Sequence, residues 1–164
     1  MTDTPDSHLR KLCMTLYATY AASAILQFFE QTLILGLLAL IIAYILSSTK
    51  KKAAKNTIYA THLRWMNRTF WIGTGIIVPV AMIIASFLIW QFTNVETLAG
   101  LFTGEDTDTL MNNLQGYIQE NMTKISVITF ITMIPTVLWW LRRCWIGYSL
   151  AEAGKPVENV TTWL

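Results

Sequence analysis

Charge is scarce in this sequence and confined to particular stretches. Among 164 residues there are 12 Lys and Arg and 10 Asp and Glu, and none falls at mid-depth in a long apolar run. With 54% of residues apolar and a mean hydropathy of +0.44, too little charge remains to cover the surface of a soluble domain. The same lack argues against a self-contained transporter, because charged residues inside spans mark ion and substrate pathways. Cysteine is nearly absent: Cys13 and Cys144 have no metal-ligand spacing, and both sit near expected cytoplasmic helix ends where thiols stay reduced. A glycine-rich phosphate loop, a paired-histidine metal motif and a nucleophile elbow are all missing. The expectation is therefore a non-enzyme without cofactor, metal or nucleic-acid partner. The amino end, MTDTPDSHLRK, is polar and no small-residue cleavage site follows a short apolar core, so the first span is expected to stay in the membrane.

Apolar sequence fills the chain instead, in four runs. A helix crossing hydrocarbon needs about 20 mostly apolar residues, because every backbone polar group must be bonded within the segment. The runs are 11–29, interrupted by threonine, tyrosine and serine; 31–49, the clearest, ended by Lys50, Lys51 and Lys52; 69–93, with Pro79 where a kink is expected; and 123–141, with Pro135. The pattern predicts an all-α integral membrane protein, one membrane domain over 1–164, with four transmembrane helices and short amphipathic interfacial helices. The first two runs are then expected to be joined by a tight outer hairpin at QFFEQT, with one long, bent helix with an interfacial start as the alternative.

The basic residues are unevenly spread. Arg10 and Lys11 open the first run, and Lys50, Lys51, Lys52, Lys55, Arg64 and Arg68 fill the second connection. Arg142, Arg143 and Lys155 follow the fourth run, in a tail over 142–164, and only Lys124 lies elsewhere. Short cytoplasmic loops are enriched in Lys and Arg, so both termini are predicted cytoplasmic. The segment 94–122 carries Glu96, Glu105, Asp106, Asp108 and Glu120 and belongs outside. Its apolar residues, Val95, Leu98, Leu101 and Phe102 and then Leu110, Met111, Leu114, Tyr117 and Ile118, predict two short amphipathic helices. The intervening EDTDT lacks the ligand spacing of a calcium loop and reads as a solvated turn with a helix cap at Asp106 or Asp108.

One stretch, THLRWMNRTFWIG at 61–73, concentrates a histidine, two arginines and two tryptophans. On a helix Arg64 and Arg68 share one face, while Ile58, His62 and Trp65 share a neighbouring one. As an interfacial anchor, its arginines bind phosphates and its tryptophans set the depth. As a site, His62, Arg64, Trp65, Arg68 and Trp71 join Arg142, Arg143 and Lys155 to bind an anionic headgroup or an acidic partner, with His62 lending pH sensitivity.

HLRWMNRTFWIG together with WWLRRCWIGYSLAEAGKP resembles an uncharacterised family of small bacterial inner-membrane proteins. The resemblance covers most of 12–156. It rests on His62, Arg64, Trp65, Arg68, Thr69, Phe70 and Trp71, and on Arg142 or Arg143, Gly147, Gly154, Lys155 and Pro156. It implies a multi-pass protein of the bacterial inner membrane, and it departs from that family in the long acidic segment where relatives have a short turn. The expected function is a non-enzymatic subunit or accessory protein that binds membrane-protein partners, or further copies of itself, and anionic lipid on the cytoplasmic face. The alternative is an oligomeric conduit for a small solute, lipid or polypeptide. A third reading is an enzyme acting on lipid headgroups through His62 and the arginines.

Overall fold

A computed structural model describes residues 5–93 and 107–159, and every regular element among them is a helix. In chain order these are α1 (Pro5–Leu26), a short 3-10 turn (Glu30–Thr32), α2 (Leu33–Thr49), α3 (Tyr59–Ile72), a π turn (Gly73–Ile77), α4 (Val78–Phe92) and α5 (Thr107–Glu152). The chain divides into two compact units, Met1–Ile76 with Val137–Leu164, and Ile77–Thr136.

Two continuous helical runs, Tyr59–Phe92 and Thr107–Glu152, are long and apolar enough to cross a membrane. Their 34 and 46 residues, at about 1.5 Å each, exceed the ~30 Å of hydrocarbon, so a crossing leaves turns of each outside it. α2 has the apolar composition but only 17 residues. Its buried residues, Gly36, Leu40, Ala43 and Ser47, form one narrow stripe, while Ile34, Leu35, Leu38, Ile41, Ile42 and Ile45 are exposed. A helix that is apolar all round is of the kind buried in a large protein core or in a membrane.

In the first unit, α1 and α2 form a hairpin and not one bent helix. The Thr32 hydroxyl donates to the Leu26 carbonyl at 2.7 Å, and a Cβ on Gly36 would stand 3.1 Å from the side chains of Leu26 and Gln27. α3 returns antiparallel to α2, with Tyr44 stacked on Phe70 at 4.2 Å and the hydroxyls of Ser47 and Ser48 donating to Asn67 Oδ1 at 3.0 and 2.9 Å. The last turns of α5 run antiparallel to α1. Trp140 stacks on Tyr20, Gly147 meets Tyr17, and the Glu152 carbonyl accepts from Arg10. These pairings gather the start of α1, the end of α2, the start of α3 and the end of α5 at one end of the unit. That end holds the basic residues that the sequence scatters over three segments.

Two boundaries differ from expectation. The predicted tail at 142–164 is helical as far as Glu152, because Arg142 and Arg143 end an apolar run without ending a helix. The true stop is Gly154, whose φ of +66° suits glycine, with the Lys155 amide donating back to the Leu150 carbonyl at 2.9 Å. Residues 107–122 are likewise the opening turns of α5 and not a separate short helix, since nothing there breaks the helix before the apolar run. Asp108 lies in the first turn of α5, where its charge suits the helix dipole. The helix expected over Val95–Phe102 lies outside the described residues. Near Pro79, the π turn at Gly73–Ile77 precedes α4 and accommodates a residue that cannot donate and crowds the carbonyl four back.

The second unit holds α4 and the first part of α5. The Thr93 hydroxyl bonds the Ile89 carbonyl at 2.6 Å and the Tyr117 hydroxyl at 2.5 Å, and Asn121 Nδ2 donates to the Tyr117 carbonyl at 3.1 Å. Much of the rest of α4 is exposed and apolar, including Met82, Ile83, Phe87 and Trp90.

Candidate functional site

α3 has two faces because its polar and aromatic residues alternate with helical period. His62, Trp65, Met66, Thr69 and Ile72 point inward, and Arg64 and Trp71 point outward with Arg68 partly exposed. The structure therefore divides the expected site residues. His62, Trp65 and Arg143 are buried in the first unit, whereas Arg64, Trp71, Arg142 and Lys155 are exposed.

Arg143 is only 1% exposed, and its guanidinium lies 3.6 Å from the centre of the Trp65 ring and 5.2 Å from that of Trp139. Its Nε donates to the Thr69 hydroxyl at 3.0 Å, and Trp65 Nε1 donates to the Arg143 carbonyl at 3.3 Å. A planar cation between aromatic faces is held by the rings' quadrupoles and its own donors, a geometry that lysine does not reproduce. This arrangement locks α3 to α5, so Arg143 is a packing residue, in contrast to Arg142 beside it. The two differ by one helical step of about 100°, which turns one inward and the other to the surface.

His62 holds the chain after α5 in place. Its Nε2 lies 2.9 Å from the Lys155 carbonyl, which only accepts, so Nε2–H donates and neutral Nδ1 accepts from the Tyr17 hydroxyl at 3.2 Å. From the residue beside it on α3, the Thr61 hydroxyl accepts from the Val157 amide at 3.0 Å. Lys155 thus joins this cluster through its backbone, while its side chain is exposed. The Gly-Lys-Pro sequence acquires a physical meaning: Gly154 ends α5, Lys155 presents its carbonyl to His62, and Pro156 leads on to Val157, whose amide bonds Thr61.

Burial lowers the His62 pKa from its ordinary 6.5, and the Lys155 carbonyl opposes this in part. The neutral form is favoured on folding, so the stabilisation is complete above about 6.5 and is lost as the pH falls through the lowered folded value. The apparent melting temperature in detergent should therefore fall between about pH 7.5 and pH 5, and His62→Gln, which keeps a donor but does not titrate, should flatten that slope. Equal slopes in the two proteins would remove His62 from the pH response.

Residues that sequence reasoning missed complete the cluster. Tyr17 carries no signal apart from being an ordinary residue in an apolar helix, and Thr69 and Trp139 fall inside the two motifs without any sign there that they would hold Arg143. Gly73 and Gly147 are legible as small, but their partners, Trp140 and Tyr17, come from distant segments. The outward Trp71 donates to the Tyr44 hydroxyl at 3.3 Å and remains 61% exposed, as an interfacial tryptophan would. Among the described residues, no group of three or more His, Cys, Asp or Glu is placed to hold a metal ion. No family model, no curated protein and no solved structure matches the chain.

Proposed function

We propose that this protein is a non-enzymatic, multi-pass membrane subunit with four spans and both termini cytoplasmic, which contacts anionic lipid at its basic end and other membrane proteins through its apolar flanks. The carrying observation is the gathering of basic side chains at one end of a helical unit whose flanks are apolar and uncovered. Arg64, Arg142, Lys155 and Lys50, Lys51 and Lys52 are exposed there, while α2 presents isoleucine and leucine along its length. Exposed cations near a bilayer surface attract anionic headgroups, and uncovered apolar helix faces require lipid or another helix. Membership of the small inner-membrane family belongs to the same proposal and rests on the two motifs.

Reporter fusions at both ends should report the cytoplasm, and nanodisc purification with native mass spectrometry should give a stoichiometric partner polypeptide together with anionic lipid. Termini on opposite sides would remove the four-span topology. A partner-free oligomer that passes a solute in vesicles would replace the subunit reading with a conduit.

A further inference from the structure

A groove of about 480 Å³ runs between α1 and the last turns of α5, lined by Tyr17, Ala18 and Ala21 on one side and by Leu138, Leu141, Arg142, Cys144, Trp145 and Tyr148 on the other. Its volume falls in the range of ~300–1,000 Å³ found for small-molecule sites. The floor exists because α1 contributes alanines opposite a stripe of large side chains on α5. The groove is almost wholly apolar, apart from Arg142, whose side chain is exposed and has no ion-pair or hydrogen-bond partner among the described residues.

We infer that this groove binds one anionic phospholipid, with an acyl chain along Ala18, Ala21, Leu138 and Leu141 and the phosphate on Arg142. The inference rests on the proposed membrane placement and deepens it by naming the lipid class and its seat. Charge complementarity selects this occupant. α5 runs from the apolar span 123–141 toward the basic end, so Leu138 and Leu141 lie on the hydrocarbon side of Arg142. Trp145, 71% exposed, and Tyr148 follow on the same stripe, where amphipathic rings sit beside headgroups. An acyl chain fits the floor, and a guanidinium at the headgroup boundary meets a phosphate through charge-assisted hydrogen bonds. An apolar partner helix would leave that arginine desolvated against it without a counter-charge.

The experiment is native mass spectrometry of the full-length protein in detergent, titrated with dioleoyl phosphatidylglycerol and, separately, dioleoyl phosphatidylcholine. The wild type should retain one phosphatidylglycerol in preference to phosphatidylcholine. Arg142→Gln, which removes the phosphate contact, and Ala18→Leu, which fills the groove, should each weaken that retention about tenfold, a loss typical of one charge-assisted contact. Lys124→Gln, an exposed cation of the second unit, should leave it intact. Retention unchanged in both groove variants, or lost equally in Lys124→Gln, overturns the groove while sparing the wider lipid reading. Equal retention of the two lipids by the wild type overturns both. A change of oligomeric state in Ala18→Leu, without change in lipid retention, overturns the groove in favour of a second copy. Melting temperatures confirm that the variants remain folded, since Ala18 and Arg142 are both exposed.

Discussion

Trp65→Ala is expected to cost about 3–5 kcal/mol of stability, the range for removing a large buried aromatic. Trp65 is 3% exposed, its indole N–H bonds the Arg143 carbonyl, and its ring carries the Arg143 guanidinium. Removing it opens a cavity and strips a buried cation of its closest aromatic face, worth about 2 kcal/mol when desolvated. Trp71→Ala, six residues on, should cost less than about 1 kcal/mol, because Trp71 is largely exposed and a surface change away from special features is nearly neutral. The sequence treats the two tryptophans alike, as interfacial anchors, and the structure separates them. Thermal unfolding of both variants in one detergent decides the matter; comparable losses would return Trp65 to the surface.

Gly147→Ala is expected to destabilise by about 1–3 kcal/mol, despite the ~1 kcal/mol by which alanine usually improves a helix. A Cβ at Gly147 would fall within the ring of Tyr17, far closer than real side chains approach. Tyr17 has little room to retreat, being 1% exposed with its hydroxyl bonded to His62. The contact pins α5 to α1, and Gly73 repeats the device against Trp140, pinning α3 to α5. If the clash is the cause, Tyr17→Ala should make Gly147→Ala nearly harmless, and a double-mutant cycle measures that coupling. Additive losses would show that the glycine is needed for something other than the approach of Tyr17.

Much of the fold is legible because its signals are local. The apolar run at 31–49 yields α2, and Arg64 and Trp71, seven apart, fall on the outer face of α3 as helical period requires. The site is less legible, because burial depends on what arrives from elsewhere. Arg142 and Arg143 are identical in type and adjacent in sequence, yet one lines a groove and the other is enclosed between tryptophans. Likewise Lys155 reads as a surface cation, while its carbonyl is what His62 holds.

By itself, the sequence determined the helical class, the apolar runs and the segregation of basic residues, because composition and period act over a few turns. Only the tertiary structure decided that α5 continues through its arginines to Gly154, and that His62, Trp65 and Arg143 turn inward. Those outcomes depend on Tyr17 meeting Gly147, Trp140 meeting Gly73 and Asn67 meeting Ser47 and Ser48. Such meetings join residues far apart in the chain, and which groups come into contact is set by the packing of whole helices rather than by any local pattern.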